Sequence, residues 1–333
     1  MAKVSKNGKR GIELSVLLTE NELAAQFLQS FAARSLPEKF FYWFPLSVRA
    51  WLDLCSDGAY RNFQRSYGLI AEYAHEIVSR LPESVEIFSL GCGQGNKDAL
   101  LLQAILESGK QAQYLPVDSS QALLEMACQE AMTTGIPCSG WKADLKNESH
   151  LRSIDRNQMP RLHLILGNTL GAFSPVEFCR SLFAISKPGD LLLVDGEIQS
   201  PQTIAGYDNP LNRRFAFAPL AGLGITAQDG KLVFESGEDA QNPGLYYLKK
   251  HFLAKRNFRI MPAGTVMDIE EGERLEMNFS CKYDGPTFLD LIRNEAAFQP
   301  VCEFTSDDEK FLMVLGVRSS TSTQEPVFVN PDT

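Results

Sequence analysis

The chain has 333 residues, a formal net charge of −9 and ordinary apolar, charged and aromatic fractions, enough for one large domain or two smaller ones around a real core. An acidic chain gains no electrostatic help toward a polyanion, which argues against nucleic acid or an anionic membrane as main partner. No apolar run approaches the roughly 20 residues of a membrane span, and seven scattered cysteines with no CxxC and four scattered histidines argue against structural zinc and a disulfide framework.

In chain order, the basic start "MAKVSKNGKR" and the acid-bearing "GIELSVLLTE" read as a solvated tail, and a cytoplasmic location follows by default. Asn21 to Pro82 reads as helical, from the apolar spacing of "ENELAAQFLQSFAARSL" and "SYGLIAEYAHEIVSRL". Between them lies the aromatic stretch "PEKFFYWFPLSVRAWLDLCSDGAYRNF". It is either a helical cap on a core or an aromatic wall over a ligand. Composition alone favours packing, because aromatic rings dominate cores.

From Val85 the texture alternates: strand "VEIFSL", helix "NKDALLLQAILESG", strand "AQYLPVD", helix "SQALLEMACQEAMTTG", a short strand in "CSGWKAD", strand "LHLILGN", helix "SPVEFCRSLFAISKPG" and strand "DLLLVDGEI". Apolar strands alternating with helices predict a parallel sheet covered on both faces, the doubly wound α/β class. After Ile198 the pattern changes. "QSPQTIAGYDNPLNRRFAFAPLAGLG" reads as loop and helix, and "KLVFES", "GLYYLKKHFLAK" and "RLEMNFSCKY" as antiparallel strands. "TFLDLIRNEAAF" reads as a helix, and "PVCEFT" and "KFLMVLGVR" as strands. The polar end from Ser319 reads as disordered.

Ligands of such sheets bind at the carboxyl ends of the strands. There the first strand of the alternation runs into Gly91-Cys92-Gly93-Gln94-Gly95. A dinucleotide fingerprint needs its third glycine where this chain has Asn96, and its ribose acid closer than Asp118, so a nicotinamide oxidoreductase is the weaker reading. The turn instead resembles the first motif of class I S-adenosylmethionine-dependent methyltransferases. That resemblance implies a ribose-binding acid at Asp118 and an adenine-binding acid at Asp144 in "WKADL". A helix N-cap is the structural alternative for Asp118.

More narrowly, the chain from about Leu36 to Arg318 resembles the histidine-specific methyltransferase family of the ergothioneine-biosynthesis type. "LPEKFFY", "LGCGQGNKDALLL", "YLPVDSS", "LGNTLGAF", "GYDN" and "NFSCKY" match its motifs in order. The resemblance implies a Rossmann-like class I methyltransferase core and a second, α+β substrate-binding domain. Residues 1–84 would be the helical part of the substrate domain, 85–200 the cofactor core, 201–278 the substrate-domain insertion, 279–318 the C-terminal part of the core and 319–333 a disordered tail. S-adenosyl-L-methionine would lie on Gly91, Cys92, Gly93, Lys97, Asp118, Ser119, Asp144, Leu145 and Asn168, with S-adenosyl-L-homocysteine as product. The substrate would meet Tyr42, Trp51, Tyr60, Ala172, Tyr207, Arg214, Asn278 and Ser280, with Tyr60 and Tyr207 positioning it for catalysis. No metal is implied.

Two departures bear on the substrate. Ala172 stands where the family's asparagine holds the substrate backbone, and Asn278 where its histidine enzymes carry a glutamate facing imidazole. Alanine cannot hydrogen-bond a carboxylate or amine, and asparagine cannot pair with a cation as glutamate does. Losing polar anchors changes what a buried site accepts, so the expected substrate is an amino acid or related small amine other than free histidine. Arg213 or Arg214 would clamp a carboxylate in the missing asparagine's place, or be an exposed pair. The rival functions are a cofactor-binding homologue without turnover, an oxidoreductase and a macromolecular methyltransferase.

Overall fold

The structure, a computed structural model, describes residues 12–58, 60–201 and 203–319. It opens with strand β1 (Leu14–Val16), helix α1 (Glu20–Ala32), a 3-10 turn over Glu38–Tyr42, α2 (Pro45–Ser56) and α3 (Arg61–Ser79). Helix α1 starts where a capping box permits it: Glu22 N donates to Thr19 Oγ1 at 3.2 Å, and Thr19 N donates to Glu22 Oε2 at 2.8 Å. It buries Leu23, Phe27 and Phe31, one face at i, i+4 and i+8.

The alternation then runs β2 (Ser84–Leu90), α4 (Asn96–Glu107), β3 (Gln111–Asp118), α5 (Gln121–Thr134), β4 (Gly140–Lys142), α6 (Glu148–Ser153), β5 (Arg161–Ile165), α7 (Pro175–Ile185) and β6 (Leu191–Glu197). There follow α8 (Thr203–Tyr207), α9 (Pro210–Ala221), β7 (Gly230–Glu238), β8 (Leu245–Ala254), β9 (Phe258–Ile260), β10 (Met267–Ile269), β11 (Arg274–Tyr283), α10 (Gly285–Asp290), β12 (Phe298–Thr305) and β13 (Phe311–Arg318).

An eight-stranded sheet has the order β1-β4-β3-β2-β5-β6-β13-β12. It is parallel from β1 to β6, and β13 and β12 pair antiparallel at its end. All seven residues of β6 are buried, as expected of a strand covered on both faces. The chain builds outward from β2 through β3 to β4, then returns to β5 on the other side of β2. The switch point is therefore at β2 and β5, and the loops after them face a common crevice. This is the Rossmann-like core.

A second α+β body is made by α1, α2, α9, the three-stranded sheet β11-β8-β7 and the β9–β10 hairpin. Its own apolar cluster includes Phe27, Phe31, Phe40, Phe41, Leu54, Phe215 and Phe252. The chain passes between core and second body four times: after β1, between α2 and α3, after β6 and after β11.

Three expectations need correction. Leu14–Val16 is not tail but an edge strand, its Ser15 in register with Trp141 of β4. Residues 1–84 are not one part of the second body. Leu69, Ile70 and Ile77 of α3 pack with Val85, Ile87 and Leu101 of the core, because the apolar face of this long helix covers the sheet. The boundary expected at 278/279 falls inside β11. The expected disordered end, Ser319 apart, lies outside the described residues, as does the basic start. Among the described residues no helix is long and apolar enough to cross a membrane.

Candidate active site

One cavity lies between core and second body, over the carboxyl ends of β2, β3, β4 and β5. Its floor begins with the glycine turn. Gly91, Gly93 and Gly95 all have positive φ. A Cβ on Gly95 would lie 2.7 Å from Ala127 Cα of α5, and one on Gly91 2.8 Å from Thr169 Cγ2. A Cβ on Gly93 would meet nothing within 4 Å, so there the bare backbone faces open space.

Asp118, at the end of β3, braces this turn. Its Oδ2 accepts from Gly93 N at 3.0 Å and its Oδ1 from Ser120 N at 2.9 Å. Burial still pushes its carboxyl up to about 6, so it retains capacity for further donors. Asp144, after β4, also faces the cavity, and its Oδ2 lies 2.5 Å from Lys39 Nζ. Lys97, in the first turn of α4, holds Nζ 5.1 Å from the Phe63 ring centroid. Gly167 leaves that ammonium room, since a Cβ there would lie 2.7 Å from it. Bare backbone, a helix N-terminus and two strand-end acids fit a nucleoside with an amino-acid tail. Cys92, Ser119 and Leu145 complete this end.

Asn168 links the two bodies. It adopts φ 60° at the end of the β5 loop. Its Oδ1 accepts from Glu197 N at 3.1 Å, and its Nδ2 donates to Ser280 Oγ at 3.2 Å and to Cys281 O at 3.3 Å. It also lines the cavity, with its side-chain amide engaged in this strut.

The opposite end is walled by rings. Trp51 packs edge-on to Tyr42 at 5.2 Å and to Tyr60 at 5.6 Å, and Phe215 lies 5.4 Å from both Tyr42 and Trp51. Phe40 and Phe41 of the same aromatic stretch are fully buried in the core of the second body. The stretch thus divides between packing and cavity wall, and Trp51 takes part in both.

Tyr207 ends α8 in a buried polar cluster. Its hydroxyl donates to Glu197 Oε2 at 3.0 Å and accepts from Asn62 Nδ2 at 2.8 Å and Lys282 Nζ at 2.5 Å. Lys282 Nζ lies 2.6 Å from Glu197 Oε2. Burial and the Glu197 charge push the phenol well above its ordinary range, so it stays neutral.

A second polar group lines the ring-walled end. Glu38 accepts from Tyr42 OH at 2.8 Å and from Asn278 Nδ2 at 2.6 Å. Asn278 Oδ1 in turn accepts from Lys250 Nζ at 3.1 Å. Asn278 reaches inward because β11 breaks register with β8 between Glu276 and Phe279, and such a bulge re-aims a side chain. Burial raises the Glu38 carboxyl and lowers Lys250 to about 8.

Of the expected site residues, the cavity gathers all but Arg214. Arg214 projects from α9 to solvent, 54% exposed, and pairs with Asp53 at 2.9 Å. Arg213 pairs with Asp208 and lies over Phe234. Neither is a carboxylate clamp, because α9 turns its Phe215 face inward. Sequence reasoning missed Glu38, Lys39, Phe63, Asn212, Phe215 and Lys250. For Lys250 a signal was present: strand alternation puts it on one face with Leu248 and Phe252, both buried. Among the described residues no acidic, histidine or cysteine cluster is arranged to hold a metal.

The family described as histidine-specific methyltransferase, SAM-dependent, matches residues 21–318. The chain is similar to N-methyltransferase fsqC of Aspergillus fumigatus, 23% identical over 307 residues, covering 88% of this chain and 83% of that protein. It is also similar to the histidine N-alpha-methyltransferase of Mycobacterium tuberculosis, 27% identical over 131 residues, covering 37% and 40%. Among solved structures, the 1,6-didemethyltoxoflavin-N1-methyltransferase of Burkholderia thailandensis aligns over 91% of this chain and 92% of its own, with 13% identity and a TM-score of 0.43.

Proposed function

We propose, since the chain belongs to the histidine-specific, S-adenosylmethionine-dependent methyltransferase family, that it methylates the nitrogen of an amino acid or related small amine other than free histidine. S-adenosylmethionine supplies an electrophilic methyl group on a sulfonium. The protein's part is to align a lone pair behind that methyl and to exclude water. In this reading Asp118 receives the ribose hydroxyls, and the backbone of Gly91, Cys92 and Gly93 lies along the methionine part. Lys97, Ser119, Leu145 and Asn168 shape the remainder of that end. Asp144 meets the adenine amine, which requires Lys39 to share or yield Oδ2.

Tyr60 and Tyr207 would position the amine. Tyr207 is suited to this because Lys282, Glu197 and Asn62 fix its hydroxyl from behind. Tyr42 and Trp51 would flank the substrate, and Asn278 and Ser280 would face its side chain.

One observation carries the exclusion of histidine. Both ends of the Asn278 amide are already engaged, by Glu38 and Lys250. Position 278 itself carries no carboxylate to face an imidazole, and Ala172, on the turn packed beside β11, offers no polar side chain. The test is methyl transfer from labelled S-adenosylmethionine to a panel of amino acids and amines, histidine and tryptophan included, with products identified by mass. A methylated amine other than histidine is expected. Histidine as the preferred acceptor overturns the substrate reading, and absence of product across the panel counts against turnover.

A further inference from the structure

Three lysines are buried among the described residues: Lys142, Lys250 and Lys282. Lys142 is paired with Glu20 and Lys282 with Glu197. Lys250 differs. Among the described residues no carboxylate lies within ion-pair distance of it, and its hydrogen bond is to the neutral oxygen of Asn278. A buried ammonium is costly unless it is paired and hydrogen-bonded. Among the described residues its ammonium makes one hydrogen bond and lies 6.0 Å from the Tyr207 ring centroid, so donors remain for the cavity it lines.

The setting defines what is missing. Lys39 and Lys146 lie by Asp144 and Lys97 by Phe63, all toward the cofactor end. Lys250 is the cation of the ring-walled end. Glu38, whose charge acts on it, bonds the other end of the Asn278 amide and forms no ion pair with the ammonium. Ala172 has removed the polar group that the family resemblance gives for holding a substrate backbone.

Resting on the amine N-methyltransferase reading, we propose that Lys250 receives the substrate's carboxylate. Asn278 then stands beside the carboxylate, and the space beside Tyr42, Trp51 and Phe215 takes an aromatic side chain, so the acceptor is an aromatic amino acid rather than its decarboxylated amine. Lys250 keeps most of its charge at neutral pH, since burial brings it only to about 8. An anion at its Nζ removes the imbalance that burial creates.

The test is calorimetric binding to the protein loaded with S-adenosylhomocysteine, which needs no turnover. The probes are tryptophan against tryptamine, and phenylalanine against phenethylamine. A charged hydrogen bond is expected to make each amino acid bind at least about tenfold tighter than its amine. Lys250→Met should collapse that ratio toward one, and Lys250→Arg should retain part of it. Equal binding of acid and amine by the unaltered protein overturns the proposal. So does an unchanged ratio in Lys250→Met, or failure of both amino acids to bind. Because the unaltered protein is itself compared with both probes, misfolding of a variant does not shield the idea. If methyl transfer to some other amine is seen while these amino acids fail to bind, only this proposal falls.

Discussion

Asn278 Nδ2 donates to Glu38 Oε2 at 2.6 Å, joining the last strand of the second sheet to a turn 240 residues earlier. The same amide accepts from Lys250, so one neutral side chain mediates between a half-buried acid and a buried base. Asn278→Ala deprives both charges of a partner. We expect a loss of roughly 2–4 kcal/mol in denaturant unfolding. Glu38→Gln should cost less, because burial already works against the carboxylate's charge and the amide keeps an acceptor for Tyr42. The reverse ranking would mean that the amide is not the central member.

Asp118 gives the expected pH response of cofactor binding. Burial raises its carboxyl to about 6, and hydroxyl donors require the ionised form. Above about pH 7 the carboxylate is present, and below about pH 6 it is protonated. Affinity for S-adenosylhomocysteine should therefore be flat at neutral pH and fall as pH drops through 6. Asp118→Asn should bind at least about tenfold more weakly and lose that inflection. Titration calorimetry from pH 5 to 8 checks both.

In the proposed reading the Lys282–Glu197 pair behind Tyr207 is a positioning device. Lys282→Met leaves Glu197 buried without its closest cation, for an expected loss of about 3–5 kcal/mol. Lys282→Met combined with Glu197→Gln should recover much of that stability and still show lowered kcat, because nothing charged then orients the phenol. Full activity in a stable double variant would remove the positioning role.

Arg214→Ala should be nearly silent. Its partner Asp53 and its exposure make an ordinary surface pair, worth under about 1 kcal/mol. Substrate affinity should not change, and a large rise in KM would return Arg214 to the site.

The core was legible because its strands are near-continuous apolar runs between helices with clear starts and stops. The glycine turn could be placed from the end of its strand, and the acid ending β3 and the acid after β4 from the methyltransferase resemblance. Gly95 was the odd residue against a dinucleotide pattern, and its packing on Ala127 supplies a separate reason for a glycine there. What escaped was short or non-local. Strand β1 and the β9–β10 hairpin have three-residue strands, too brief for periodicity to register. The pairing of Glu38, Asn278 and Lys250 depends on a bulge and on contacts across most of the chain. Arg214 was misjudged because composition does not reveal which face of α9 turns inward.

The four passages of chain between core and second body have a mechanical consequence. A part hung on one strand can swing as a door, with a few backbone angles absorbing the motion. A part stitched down at four places is restrained against turning about any one of them. Exchange of reactant and product is then expected to draw on side chains and turns at the rim more than on a swing of the whole second body.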